Sequence, residues 1–298
     1  MSIFANEFMI RALIGAVVIG LTAPALGIYL VQRRMSLIGD GVGHVALTGV
    51  GVGLLLDRSP VLTAVIVSAI GAIAIELIRE RGRTSGDVAL ALLFYGGIAG
   101  GVMLVGLSGS RSNANLMTYL FGSLATTSRS DLIVIVVLGA VVLGLALGLR
   151  PALFAASHDE EYARVSGLPV RALNLLVAVL TAVTVTISMR AVGLLLVSAL
   201  MVVPVATAQQ VARGFVATMG LAMVLGVAAA GSGVWLAWEI DTALGATIVV
   251  LAIAGFLVVA VAVAVVRAVR RRAALRASRP GHAVSADPEP HEVVLDRR

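Results

Sequence analysis

Residues 10–31 read IRALIGAVVIGLTAPALGIYLV, an apolar run with Arg11 as its one charged side chain. A helix needs about 20 apolar residues to cross the hydrocarbon core of a bilayer. The run is longer than the apolar core of a secretory signal, and no basic segment with a small-residue cleavage site brackets it. We therefore interpret it as a retained membrane span.

Similar runs continue along the chain and predict an all-α, polytopic transmembrane helix bundle. Only helices and closed barrels satisfy their backbone in lipid, and runs of about 20 residues favour helices over ten-residue strands. Nine spans are expected, or eight if a short pair such as 173–189 and 192–210 is wrongly divided. The further runs are 37–56, 61–78, 88–107, 131–149, 173–189, 192–210, 215–236 and 243–266.

The composition supports a membrane protein without an ATPase site. Hydrophobic residues make up 59% of the chain and charged residues 13%, with a mean hydropathy of +1.05. A soluble domain carries about 25% charged residues.

There is no cysteine, and all 22 basic residues are arginine. Thiolate metal sites are therefore excluded, and so is a P-loop, which needs a lysine. We expect no enzyme activity from this chain alone.

The arginines indicate membrane orientation rather than nucleic-acid binding, although the net charge is +6. They cluster in alternate connections and in the tail, with 17 on one side and five on the other. Arginine excess marks the cytoplasmic side, which predicts an external N-terminus and a cytoplasmic C-terminus. We expect a transmembrane domain at 1–266 and a basic cytoplasmic stretch at 267–298, disordered from about Pro280.

Asp40 and His44 are the strongest candidates for chemistry. They lie four residues apart in the second run, so both side chains are on one face of a helix. Thr48 is one turn further along the same face and is a candidate pathway-lining residue. We call Asp40, His44 and Thr48 the stripe. An aspartate inside a membrane costs about 3 kcal/mol or more. A carboxylate with an imidazole suits zinc, manganese or ferrous iron. A hydrogen bond that only packs helices and a proton relay are the alternatives.

One such helix supplies only two ligands, whereas a closed tetrahedral site has four. A two-fold homodimer would bring two aspartates and two histidines together on its axis. We state this as a hypothesis from ligand number, since no sequence pattern identifies the oligomer.

The stretch Arg33–Gly53, RRMSLIGDGVGHVALTGVGVG, resembles the signature region of the zinc/manganese/iron permease family of ABC importers. Gly43 stands where the family usually has serine, and Thr48 where it often has proline. Three further stretches are similar to family motifs: 119–123 (YLFGS), 190–204 (RAVGLLLVSALMVVP) with Ala206 and Thr207, and Asp241 with 245–248 (GATI).

The resemblance implies the permease subunit of a metal uptake system in the plasma membrane. Two copies would form the pathway, two cytoplasmic ATPase subunits would power it, and an extracytoplasmic protein would deliver the metal. No permanently bound cofactor is implied, because zinc, manganese or iron is the cargo. A secondary transporter driven by a proton gradient and a non-transporting scaffold are the alternative functions.

The internal segment 154–170 is the predicted contact with the ATPase. A short amphipathic helix is expected from about Asp159 to Ser166, because Gly167 and Pro169 end it and acidic residues begin it. It resembles the family's coupling helix, with Ser157 and His158 in place of a more usual Phe-Asp. The alternative is a solvated loop. The candidate docking residues are Asp159, Glu160, Glu161, Ala163 and Gly167.

Acidic residues near span ends have weaker assignments. Glu239 and Asp241 lie beside Trp235 and Trp238, as a candidate external mouth for cations or as simple interfacial residues. We expect Glu76 to form an interfacial ion pair with its neighbour Arg79, with an exit-path role as the alternative. His158 is expected to be exposed and unrelated to transport.

Overall fold

The computed structural model describes residues 7–80, 86–108, 120, 122, 129–191 and 193–277, and the regular structure in these ranges is entirely α-helical. The helices are α1 (Glu7–Gln32), α2 (Ile38–Leu55), α3 (Pro60–Glu80), α4 (Gly86–Leu107), α5 (Arg129–Gly148), α6 (Arg150–His158), α7 (Glu160–Val165), α8 (Val170–Ala191), α9 (Leu194–Gln209), α10 (Phe215–Glu239) and α11 (Leu244–Ala277). The predicted all-α fold is confirmed.

The long helices agree with the predicted spans. Within the described residues, seven helices are long and apolar enough to cross a membrane. An eighth span is formed if α5 and α6, which meet at an angle of 69°, are counted together. The remaining predicted span corresponds to α9, which is apolar but has only 16 residues. The runs at 173–189 and 192–210 correspond to two separate helices, but the described residues hold seven or eight candidate spans rather than the nine expected, because α9 is too short to be counted as one.

Helices α1, α2 and α8 form the centre of the bundle. In α1 and α8, 72% of the most apolar window is buried within the protein, whereas the figure is 11% in α11. Buried threonines in α8 donate to carbonyls one turn earlier, as Thr181 does to Val177 at 2.7 Å. The outer faces of α4, α5 and α11 carry exposed valine and leucine side chains, which suits contact with lipid.

Glycines allow α1 to lie against its neighbours at backbone distance. A Cβ atom on Gly20 would lie 2.8 Å from the carbonyl oxygen of Gly226 in α10, and one on Gly27 would overlap the carbonyl oxygen of Met201 in α9. Small residues permit this close approach, which supplies much of the association energy between helices in lipid. Pro24 in α1 and Pro204 in α9 both lie within unbroken helices.

Helix α11 continues past the predicted domain boundary at residue 266. Its 34 residues make it about 51 Å long at 1.5 Å per residue, which exceeds the roughly 30 Å hydrocarbon core. Its last turns carry exposed arginines, among them Arg267 and Arg270. The stretch 119–123 lies largely outside the described residues, and the predicted disordered tail from Pro280 lies wholly outside them.

Replacing Gly27 by alanine should destabilise the bundle. The added methyl group would overlap the α9 backbone, so α1 and α9 must separate and lose contacts. We expect the midpoint of thermal unfolding in detergent to fall by several degrees. Gly15→Ala is the matched control on the same helix, because its Cβ would meet nothing within 4 Å. Equal loss in both variants would contradict the close contact.

Candidate metal-binding site and coupling segment

Asp40 and His44 lie at the start of α2, on successive turns. Asp40 is the third residue of the helix and is partly exposed. Its carboxylate occupies the first turn, where the partial positive charge of the helix end stabilises it. Asp40 forms no hydrogen bond or ion pair with another residue of the described ranges. An accessible carboxylate without a hydrogen-bond partner in the described ranges is available to a cation.

The imidazole of His44 lies between α2 and α4. His44 is 7% exposed, and its imidazole ring contacts the Phe94 ring edge to face, with 4.5 Å between the ring centroids. The Nδ1 atom is buried without a hydrogen-bond partner among the described residues. A packing hydrogen bond from this nitrogen to Asp40, one of the predicted alternatives, is therefore absent. A buried imidazole nitrogen without a partner is costly unless something else binds it.

Close contacts on several sides determine the rotation of α2. A Cβ on Gly97 of α4 would lie 2.6 Å from the carbonyl carbon of His44, and one on Gly49 would lie 2.6 Å from Ala64 Cα in α3. Gly43 faces Leu194 of α9 and Val185 of α8. The predicted packing role of the α2 glycines agrees with this geometry. A serine at position 43, which resembles the family more closely, would press on Leu194.

Thr48 continues the stripe toward the other end of α2. Its hydroxyl donates to the carbonyl oxygen of Gly97 at 2.9 Å. The same glycine therefore receives Thr48 and allows the close approach of α4 at His44. Because of this hydrogen bond and the contact between His44 and Phe94, the face of α2 that carries His44 and Thr48 is directed toward α4.

The described part of one chain supplies too few ligands near Asp40 and His44 for a closed site. Among the described residues, no group of three or more His, Asp, Glu or Cys side chains could hold a metal ion. Asp40 and His44 thus remain a pair within a single copy.

The predicted short helix of the internal segment is present as α7. Asp159 caps it, with a carboxylate oxygen accepting from the Tyr162 backbone N–H at 2.9 Å. Gly167 has φ of +80°, and the Leu168 N–H bonds the Ala163 carbonyl at 3.1 Å. The sequence predicts the glycine end of this helix and its acidic start, and the structure adds that Asp159 is the N-cap. A preceding helix, α6, was not predicted.

Helix α7 has a buried side and an accessible side. Ala163 is fully buried, whereas Tyr162 and Val165 are 66% and 89% exposed. Glu160 and Glu161 are also exposed, and Glu160 pairs with Arg164 at 3.3 Å. Two exposed apolar side chains beside two carboxylates form a surface that suits a protein partner.

A charged groove of about 1020 Å³ lies between α7, the end of α3 and the start of α8. Glu76 is buried there and forms two hydrogen bonds with Arg79, at 2.6 and 3.1 Å, which confirms the predicted ion pair. Glu80 pairs with Arg171 of α8 at 3.0 Å. Most charges of the groove wall are therefore already paired, and Glu161 is the charged lining residue for which the described residues provide no ion-pair partner.

Arg33 is a functional candidate that the sequence did not identify. Its guanidinium donates to Ser157 at 3.2 Å, to the Ala156 carbonyl at 3.4 Å and to the Asn174 side-chain oxygen. These partners are more than 120 positions away in the chain, so local sequence carries no signal for them. The sequence analysis used Arg33 for membrane orientation and as the first residue of the family-like stretch Arg33–Gly53, and gave it no further role.

The remaining predicted residues lie elsewhere. Glu239 ends α10, and Asp241 follows with φ of 50°; both are exposed, beside Trp235 and Trp238. His158 is exposed, as expected, and stacks on Phe154 with 5.4 Å between the ring centroids.

Residues 5–264 match the sequence model of the ABC 3 transport family. The chain belongs to this family. The membership predicted from Arg33–Gly53 is confirmed, and with it the function of a multi-pass permease subunit of an ABC transporter. These findings support that function and not the secondary transporter.

Individual relatives cover nearly the same part of the chain. The high-affinity zinc uptake system membrane protein ZnuB of Haemophilus influenzae is 31% identical over 82% of this chain and 93% of its own length. The manganese transport system membrane protein MntC of Halalkalibacterium halodurans is 30% identical over 83% and 84%. The solved structure of PsaBC from Streptococcus pneumoniae in complex with Fab has a TM-score of 0.78, with 29% identity over 85% and 91%.

Gly97→Ala should impair metal transport. Its methyl group would press on the His44 backbone and separate α4 from α2, which misplaces the imidazole. We expect uptake of radioactive zinc or manganese by cells to fall at least about tenfold at equal protein level. Gly96→Ala is the control, because a Cβ there meets nothing within 4 Å. Wild-type uptake by Gly97→Ala would contradict the role of this contact.

Proposed function

We propose that this chain is the permease of an ATP-driven importer of zinc, manganese or ferrous iron, in which Asp40 and His44 bind the ion. The observation that carries the proposal is the pair itself. A carboxylate and a buried imidazole nitrogen, neither with a hydrogen-bond partner among the described residues, lie one turn apart on a membrane-spanning helix. Both atoms are ligands that these metals prefer.

The pathway is proposed to lie between two copies of the chain. Two copies would supply two aspartates and two histidines, which is the ligand number of a closed tetrahedral site. The absence of a third ligand near the pair in the described part of one chain supports this arrangement. Thr48 would line the same path one turn further on, through its hydroxyl oxygen.

The identity of the metal is open within this class. The names of the relatives include both zinc and manganese. A site with two carboxylates and two imidazoles has an intrinsic preference for zinc over manganese, following the usual affinity order. An extracytoplasmic binding protein would deliver the ion and add selectivity, and Glu239 and Asp241 would face it at the external mouth.

A cytoplasmic ATPase is proposed to dock on α7. Its contacts would include Asp159, Glu160 and Glu161, with Ala163 and Gly167 shaping the helix and its end. The exposed Tyr162 and Val165 support this, because apolar side chains are otherwise costly at a solvent-facing helix. The excess of arginine on this side supports a cytoplasmic position for α7 and for the C-terminus in a plasma membrane.

Removing one ligand should abolish tight metal binding. We expect His44→Ala and Asp40→Asn to lower the affinity of the purified protein for zinc by more than about tenfold, because even loss of an outer-shell partner costs 10–100-fold. Wild-type protein should bind one ion per two chains. His158→Ala, which removes an exposed histidine, is the control. Unchanged affinity in His44→Ala, measured by isothermal titration, would exclude this site.

Charge changes on α7 should release the ATPase. We expect Val165→Asp and Glu161→Arg to reduce co-purification of the ATPase subunit by at least about tenfold, since an unpaired charge in a desolvated contact costs several kcal/mol. Glu239→Arg makes the same charge change at an exposed residue of another helix end and should retain the ATPase. Full retention by both α7 variants would place the docking surface elsewhere.

A further inference from the structure

Residues 33–37 form a tight elbow between α1 and α2. The N–H groups of Arg34 and Met35 bond the Val31 and Leu30 carbonyls at 3.1 and 2.9 Å, with Arg34 at φ of 58°. This is a helix C-terminal motif with arginine where glycine is usual. The Met35 carbonyl in turn accepts from the Ile38 N–H of α2 at 3.1 Å. The elbow is therefore hydrogen-bonded to both helices and moves with them.

Arg33 extends from this elbow to the segment that precedes α7. Its guanidinium contacts Ser157 and Ala156 in the last turn of α6, and Asn174 in the second turn of α8. Ser157 lies two residues before Asp159, the N-cap of α7. In the other direction, Arg33 lies seven residues before Asp40. The Arg33 side chain thus connects the elbow before α2, the helix that carries Asp40 and His44, to the residues just before α7, the proposed docking helix.

The acceptors of Arg33 are neutral. The buried carboxylate of Glu76, which interacts with Arg33 at longer range, is hydrogen-bonded on both oxygens to Arg79. Burial lowers the pKa of Arg33, while Glu76 and Glu160 of α7 act in the opposite direction. Bonds to neutral acceptors are weaker than a bidentate carboxylate pair. Such a bridge is strong enough to hold α6 against the elbow and weak enough to break when the helices move.

We infer that Arg33 is a positioning residue that couples metal occupancy of α2 to ATP hydrolysis, through its bridge from the α1–α2 elbow to Ser157 and Asn174. This inference rests on the proposed function of Asp40, His44 and α7. A shift of α2 on ion binding moves the elbow, and the bridge carries that shift to the N-cap of α7. For the binding steps the coupling is reciprocal: if metal binding changes the affinity of the transporter for nucleotide, nucleotide binding changes its affinity for metal by the same factor.

The test uses the complete transporter, permease with its ATPase, in proteoliposomes. The measured quantity is the ratio of ATPase rates with and without zinc and manganese supplied on their binding protein. We expect Arg33→Ala to lower this ratio at least about fivefold, the lower end of usual coupling strengths. Ser157→Ala and Asn174→Ala should lower it less, and Arg33→Lys should recover part of the loss. Zinc affinity without nucleotide and retention of the ATPase should stay at wild-type levels in these variants.

Arg34→Ala is the matched control. Arg34 carries the same charge at the next position and is exposed, and its side chain forms no hydrogen bond or ion pair with another described residue. Its ratio should equal that of the wild type. An unchanged ratio in Arg33→Ala, or an equal loss in Arg34→Ala, would overturn the inference. If Arg33→Ala does not fold, unchanged ratios in both Ser157→Ala and Asn174→Ala would overturn it.

The same preparation separates this inference from the proposed function. Failure of the wild-type transporter to bind zinc, or loss of the ATPase from it, would refute the proposed function itself. Intact metal binding and docking with normal coupling in the Arg33 variants would refute only the role of Arg33.

Discussion

The backbone of α2 is in direct contact with α4 at Gly97 and with α3 at Gly49, and the candidate site depends on these contacts. Lipid supplies no hydrophobic force between helices, so close packing and hydrogen bonds must hold them. Contacts at backbone distance on two sides leave α2 little freedom to rotate. The directions of Asp40 and His44 are therefore set by glycines that carry no chemistry themselves.

A cluster of ion pairs and polar contacts surrounds α7 at one end of the bundle. Glu76 pairs with Arg79, and Glu80 pairs with Arg171. Arg33 donates to a side chain and a backbone carbonyl of α6 and to a side chain of α8. These interactions join α1, α3, α6 and α8 at the level of α7. Such pairs contribute specific geometry more than stability, because desolvation offsets much of their attraction. The short helix α7 therefore rests on a framework of fixed contacts, although it has only six residues.

The sequence predicted the helices themselves better than it predicted which helices pack against each other. Apolar length predicted the spans, and Asp159 with Gly167 predicted α7, because span length and helix caps are local properties. The sequence did not show that α1 is central and α11 peripheral. Both helices are apolar on all sides, and only tertiary packing distinguishes them. The bend at Leu149 that creates α6 was also missed. For the site, helical spacing identified Asp40 and His44, but Phe94 beside the imidazole and the distant partners of Arg33 depend on the fold.

The charge of the proposed two-copy site favours a divalent ion. Each chain contributes one carboxylate from Asp40 and one neutral imidazole from His44. Two carboxylates balance a divalent cation, so the loaded site would be neutral, whereas a monovalent ion would leave a net negative charge. Within a membrane, where an unbalanced charge costs about 3 kcal/mol or more, that difference alone disfavours sodium or potassium. In the proposed arrangement the empty site would carry two like charges, and the arriving ion would relieve their repulsion. Binding would then draw the two α2 helices together, which is a movement that the α1–α2 elbow is placed to transmit.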